Sequence, residues 1–148
     1  MMYQLILVLH ILGATVWTGG HLVLATTILP RALRRRNAAL VRDFEARYEG
    51  IGIPALAVQV VTGFWLAHRI LPDPKAWFAF ASPVATLIAV KLAVLMLTVI
   101  LAVDARVRII PRLRSENLPA LAWHVIPVTV LSVLFVVIGV GLRTGGLF

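Results

Sequence analysis

The stretch HILGATVWTGGH, residues 10–21, lies within a run from Tyr3 to Leu29 that carries no charged side chain. A run of this length crosses the hydrocarbon core of a bilayer as a single helix, which places His10 and His21 inside the membrane. Eleven residues at about 100° each return His21 to within roughly 20° of His10, on the same face of the helix. Because roughly 16 Å along the axis then separates the two imidazoles, each needs a different partner.

The composition places the chain among membrane proteins. Of its 148 residues, 61% are hydrophobic and the mean hydropathy is +0.98, which is more apolar surface than a soluble domain of this size can bury. Cysteine is absent, which excludes disulfides, thiolate metal sites, iron–sulfur clusters and covalently attached c-type haem. The sequence carries no phosphate-binding glycine loop, no nucleophile–base triad and no nucleic-acid module, so we expect membrane lipid as the partner and no nucleic acid.

Four apolar segments predict an all-α fold: an integral membrane four-helix bundle that forms one domain over residues 1–148. The predicted helices cover approximately residues 3–29, 51–71, 83–103 and 119–142. Ser82 followed by Pro83 is typical of a helix start, with serine as the cap and proline in the first turn, and predicts the start of helix three. Pro54 is expected in the first turn of helix two. Pro127 is expected to kink helix four. Residues 39–50 mix apolar and charged side chains, typical of either a short surface helix or a polar extension of helix two.

The basic residues predict the orientation. The two connections that follow helices one and three carry ten arginines, whereas the opposite side has only Arg69, Lys75 and Arg143. Because cytoplasmic loops are enriched in basic residues, the arginine-rich connections are expected in the cytoplasm and both termini on the periplasmic side of a bacterial inner membrane. The ten arginines are Arg31, Arg34, Arg35, Arg36, Arg42, Arg47, Arg106, Arg108, Arg112 and Arg114.

This topology sorts the four histidines by depth. His10 and His68 fall in the outer half of the membrane, and His21 and His124 fall in the inner half, each roughly 7–10 Å from the bilayer centre. Each pair therefore combines a histidine of helix one with a histidine of another helix, which is helix two in the outer half and helix four in the inner half. A hydrogen-bonded core histidine is the simpler explanation for any single one, but the sorting of all four into two pairs favours ligation of a cofactor.

Paired imidazoles at one depth, without a carboxylate or thiolate beside them, are typical of a bis-histidine b-type haem. The pattern predicts two haems b per chain, with His10 and His68 on the outer iron and His21 and His124 on the inner iron. Such a cytochrome would transfer electrons between a quinone or quinol and a redox partner. Whether it is an oxidoreductase enzyme or a homo-oligomer is left open. Copper also accepts two imidazoles and is the alternative metal.

Two cations lie near the predicted outer pair. Lys91, about eight residues into helix three, is positioned to neutralise a haem propionate or to contact an anionic or quinone-like ligand, and a lysine that snorkels to the interface is the alternative. Arg69 follows His68 directly and is a second candidate partner for a propionate, with lipid headgroups as the alternative.

Three motifs resemble the membrane domain of the copper resistance protein D (CopD) family: LHILGATVWTGGH at 9–21, VVTGFWLAH at 60–68 and AVKLAVLML at 89–97. The resemblance covers most of the four helices and implies copper handling at the bacterial inner membrane. His10, Trp17 and Lys91 are also similar to the HemJ-type membrane protoporphyrinogen oxidases, which implies a haem-binding enzyme as a further alternative. The architecture is similar to that of small di-haem b cytochromes. The sequence departs from the copper resistance protein D and HemJ-type families in having the inner pair, His21 with His124. Methionine-rich copper motifs are also missing. Both departures favour the cytochrome.

Overall fold

The structure, a computed structural model that describes residues 1–145, contains four long helices and no strand within that range. They are α1 (Met2–Arg35), α2 (Ala39–Ile70), α3 (Pro83–Arg112) and α4 (Ser115–Thr144). Each is long and apolar enough to cross a membrane. The prediction of an all-helical protein with four membrane-spanning helices is confirmed.

Helix α1 continues beyond Pro30, where the sequence pattern predicts its end. An α-helical part, Met2–Val23, leads into a π turn, Leu24–Ile28, and a second α-helical part, Leu29–Arg35. The wider π turn changes the hydrogen-bond register just before Pro30. Pro30 consequently lies in the first turn of the second part, where its missing N–H costs little.

Helix α2 includes residues 39–50, so the polar extension, and not a separate surface helix, is the observed structure. Val41 is fully buried and Phe44 packs beside it, against a cluster that includes Leu24, Leu29 and Leu118. This packing fixes the extension as helix although its other face is charged. Because the helix begins twelve residues earlier than predicted, Pro54 lies inside it and not in its first turn.

Helix α3 begins as predicted, with the Ser82 hydroxyl accepting a hydrogen bond from the backbone N–H of Ala85 at 3.2 Å. Beyond Asp104 it continues through a π turn, Ala105–Ile109, and a short 3₁₀ turn. Helix α4 becomes α-helical at Leu118 and runs through Pro127 without interruption.

Helices α1 and α4 form the central pair, with α2 packed on α1 and α3 packed on α4. Around the bundle the order is therefore α2–α1–α4–α3. One apolar cluster joins α1, α2 and α4 at the arginine-rich end, and a second, built around Val94, Phe135 and Ile138, joins α3 to α4. Many large apolar side chains point outward, as expected of surfaces that contact lipid.

Candidate polar sites on helix α1

The imidazole of His10 is held by α2 in one tautomer. Its Nδ1 lies 2.9 Å from Thr62 Oγ1, and the Thr62 hydroxyl donates its proton to the carbonyl of Val58 at 2.6 Å. Because a hydroxyl has only one proton to donate, Thr62 accepts at His10, and His10 Nδ1 is the N–H donor. The lone pair of His10 therefore lies on Nε2, and the ring has the backbone carbonyl of Gln59 as a further partner.

Two further polar groups lie near His10. Gln59, one turn before Thr62 on α2, is 9% exposed, and its side-chain oxygen has no partner in the described part of the chain. Lys91 of α3 lies near His10, and its amino group lies beside Gly139 of α4. No hydrogen bond or ion pair to Lys91 occurs among the described residues. We call His10, Gln59, Thr62 and Lys91 the outer polar cluster.

His21 is held by its own helix and by an aromatic pair. Its Nδ1 donates to the carbonyl of Trp17 at 2.9 Å, and the ring centroids of Trp17 and His21 are 4.3 Å apart. Tyr48 of α2 meets His21 edge-on at 6.2 Å and donates its hydroxyl proton to the carbonyl of Val16 at 3.0 Å. The Tyr48 ring lies directly over Gly20, where a Cβ atom would overlap it. As at His10, the free lone pair is on Nε2.

His124 has both ring nitrogens engaged. Nδ1 donates to the carbonyl of Ala120 at 2.9 Å, and Nε2 lies 2.8 Å from the carboxylate of Asp104 on α3, which also pairs with Arg108 at 3.1 Å. A doubly hydrogen-bonded imidazole of this kind has no lone pair left for a metal. Thr129, whose hydroxyl oxygen lies 3.2 Å from the carbonyl oxygen of His21 and 2.7 Å from that of Val125, marks the face of α4 that contacts α1. His124 precedes it by five residues, about 140° around the helix.

His68 lies on an exposed face of α2. It follows Thr62 by six residues, which is about 120° around the helix from the side that contacts His10. Arg69 is also exposed, and its guanidinium lies 5.8 Å from the ring centroid of Trp65. The structure thus brings Lys91 towards His10 but directs His68 and His124 elsewhere. The set of four axial haem ligands stays a prediction.

Sequence reasoning missed three side chains that determine these geometries. Gln59 and Thr62 are two polar residues in an otherwise apolar stretch of α2. Because they are three residues apart, they lie on one face of the helix, and this spacing could have indicated a polar contact there. Asp104 of α3 is the third, because its carboxylate lies 2.8 Å from Nε2 of His124. No group of three or more His, Cys, Asp or Glu side chains suited to holding a metal ion occurs within residues 1–145.

The comparisons with known proteins bear on the choice between haem and copper. The family model for copper resistance protein D matches residues 42–142, which is more than half of the chain and includes most of α2 and all of α3. No curated protein and no solved structure matches. This match supports the copper alternative, whereas neither the structure nor the comparisons provide support for two haems. The chain belongs to the copper resistance protein D family and is a multi-pass membrane protein with four membrane-spanning helices.

Proposed function

We propose that the protein binds copper as cargo inside its helical bundle and transfers it across the bacterial inner membrane. The observation that carries this proposal is the family match over residues 42–142, combined with four helices able to cross a membrane. Copper resistance is the property named by the family, and movement of the ion through the bundle is the step that we add.

The geometry favours His21 as the copper contact. Its Nδ1–H is held by the Trp17 carbonyl, and a backbone hydrogen bond of this kind orients histidines that bind metals through the other ring nitrogen. Imidazole nitrogen is a suitable ligand for copper. His10 offers the same free Nε2, but the positive charge of Lys91 beside it opposes a metal cation there. No Lys or Arg side chain pairs with the His21 ring in the described residues.

A single imidazole is an incomplete ligand set, in agreement with the absence of a three-residue metal group from residues 1–145. An ion that crosses a membrane must bind strongly enough to enter and weakly enough to leave. A site with one protein ligand and an aromatic wall made by Trp17 and Tyr48 meets this requirement better than a closed cage. We therefore expect copper to exchange readily at His21.

Cells that express the protein provide the test. A copper-sensitive bacterium carrying the wild type, His21→Ala or His68→Ala is grown in graded copper, and its copper content is measured by mass spectrometry. We expect the wild type and the exposed-site control His68→Ala to change copper tolerance and content equally, and His21→Ala to match the empty vector. A wild type that equals the vector contradicts the function, and an active His21→Ala variant contradicts the site.

The visible spectrum of the purified protein separates this proposal from the haem alternatives. We expect no Soret band before or after reduction with dithionite. Two low-spin haems b per chain would instead establish the electron-transferring cytochrome, with His10, His68, His21 and His124 as ligands. One haem that is lost in His10→Ala and retained in His124→Ala would indicate a porphyrinogen oxidase.

A further inference from the structure

A cavity of about 530 Å³ opens at the arginine-rich end of the bundle. It is bounded by the start of α2 on one side and by the end of α3 with the connection to α4 on the other. Three of the five residues that line it are arginines, Arg42, Arg112 and Arg114, and the other two are Pro111 and Leu113. The fold thus brings cationic residues from two parts of the chain to one space that can hold a polyatomic ligand.

Hydrogen bonds hold the wall of this cavity in place. The Arg42 guanidinium donates to the carbonyl of Leu113 at 2.8 Å, which ties α2 to the connection. The side-chain oxygen of Asn117 accepts from the backbone N–H of Arg114 at 2.7 Å, and its amide donates to the carbonyl of Arg112 at 2.8 Å. Leu113 is 3% exposed and belongs to the apolar cluster at this end of the bundle. The backbone that carries the two arginines is therefore fixed before a ligand binds.

The protein does not neutralise the positive charge of the cavity. No carboxylate forms an ion pair with Arg42, Arg112 or Arg114 over residues 1–145. The arginine–carboxylate pairs of the described residues use Arg106 and Arg108, and neither of these lines the cavity. Because like charges held around one space repel each other, an anion that enters the cavity is stabilised by all three arginines.

The guanidinium group selects the kind of anion. Its planar set of N–H donors matches the oxygens of carboxylates and phosphates and binds them in a bidentate manner. A chloride ion would fill only a small part of about 530 Å³. A phosphate group directs its oxygens tetrahedrally, so several guanidinium groups can reach it at once, whereas the two oxygens of a carboxylate lie in one plane. The three arginines therefore favour a phosphate group.

An apolar stripe on α3 leads from the membrane to the cavity. Ile100, Val103 and Val107 are each more than half exposed, and they are spaced three and four residues apart, which places them along one face of the helix. Pro111 follows Val107 by four residues and lines the cavity. A ligand with a phosphate group in the cavity and an acyl chain on this stripe would contact both surfaces.

We propose that the cavity binds the phosphate group of an anionic phospholipid. Arg112 and Arg114 donate to the phosphate oxygens, Arg42 adds its charge, and one acyl chain lies along the apolar stripe of α3. A headgroup with net negative charge is favoured, because the amine of a zwitterionic lipid would meet the same three guanidinium groups. This site does not depend on the copper proposal, which uses His21.

Titration with a defined lipid tests the site. The full-length protein, freed of lipid in an uncharged detergent, is titrated with dioleoylphosphatidylglycerol, and bound lipid is counted by native mass spectrometry. The cavity variant combines Arg112→Gln with Arg114→Gln. The matched control combines Arg31→Gln with Arg34→Gln, which removes the same charge from exposed arginines of α1 that do not line the cavity. We expect the control to bind within about twofold of the wild type, and the cavity variant about tenfold more weakly or worse.

Three further probes identify the source of the phosphate group. Dioleoylphosphatidylcholine keeps the phosphate and acyl chains but adds a cation, glycerophosphoglycerol keeps the headgroup without acyl chains, and inorganic phosphate has neither. We expect each to bind about tenfold more weakly than dioleoylphosphatidylglycerol, or worse. Equal binding of the zwitterionic lipid, or equal binding of a phosphate without acyl chains, overturns the proposal. Equal losses of affinity in the two double variants also overturn it, because they would indicate an effect of total charge alone.

Melting temperatures provide a second measurement on the same proteins. Without lipid, the cavity variant should melt like the wild type, because the side chains of Arg112 and Arg114 are exposed and have no carboxylate partner among the described residues. Dioleoylphosphatidylglycerol should raise the melting temperature of the wild type and of the control, since a ligand of the folded state stabilises it, but not that of the cavity variant. An equal rise in all three proteins would contradict the site.

Discussion

His10 of α1 donates its Nδ1 proton to the hydroxyl oxygen of Thr62 on α2, over 2.9 Å, while Thr62 donates its own proton to Val58. One threonine thus fixes both the position and the tautomer of an imidazole on another helix. Thr62 is 8% exposed, so water does not easily replace it. The stability of the α1–α2 pair and the direction of the His10 lone pair consequently depend on the same hydroxyl.

Replacing Thr62 with valine keeps the shape of the side chain and removes the acceptor. We expect Thr62→Val to lower the free energy of unfolding by about 1–2 kcal/mol, because the buried His10 N–H loses its partner. Denaturant unfolding in detergent measures the loss. The control is Thr15→Val, since the exposed Thr15 hydroxyl bonds only to its own helix at Ile11. Equal destabilisation by both substitutions would show that the inter-helix bond contributes nothing.

Neighbouring glycines in α1 should respond differently to alanine. At Gly20 a methyl group would overlap the Tyr48 ring, whereas at Gly19 nothing lies within 4 Å. We expect Gly20→Ala to destabilise the protein by about 1–3 kcal/mol through overpacking. Gly19→Ala should be neutral or slightly stabilising because alanine is the better helix former. The melting temperatures of the two variants test this expectation. A Gly20→Ala protein as stable as the wild type would contradict the placement of Tyr48.

The hydrogen bond between Asp104 and His124 should couple α3 to α4 at the arginine-rich end of the bundle. We expect Asp104→Ala and His124→Ala each to lower the melting temperature, and the double variant to be no worse than the more damaging single one, because both remove the same 2.8 Å contact. Arg108→Ala is the control, since that side chain is largely exposed and contributes little. Strictly additive losses in the double variant would argue against the pair.

The distribution of arginine predicts how the bundle is inserted. A reporter that is active only in the periplasm should be active when fused at the C-terminus and inactive when fused at Asn37, between α1 and α2. A fluorescent protein that folds only in the cytoplasm should give the opposite pattern at the same two sites. The reverse result at both sites would show that the arginine-rich connections face outward.

Features that depend on short segments could be predicted from the residues alone. The four membrane-spanning helices were predictable because hydropathy summed over about 20 residues is decided by each segment by itself. The start of α3 was predictable for the same reason, since Ser82, Pro83 and the N–H of Ala85 lie within one turn. The resemblance to the copper resistance protein D family, confirmed over residues 42–142, likewise depends on short motifs.

The directions of the side chains could not be predicted in this way. The depth of each histidine in the membrane sorted the four histidines into two levels. Depth carries no information about how each helix is rotated about its own axis, and this rotation decides where a side chain points. Rotation was decided by packing: Gly13 and Gly20 set the approach of α1 to α2, and Asp104 turned His124 towards α3.

The sequence by itself thus determined that this chain has four membrane-spanning helices, and its short motifs indicated a resemblance to the copper resistance protein D family that the family model confirms. Only the tertiary structure decided that His10 and His21 keep a free Nε2 while His124 does not. The physical reason is that hydropathy is a local sum, whereas the environment of an imidazole depends on which face of a neighbouring helix it meets.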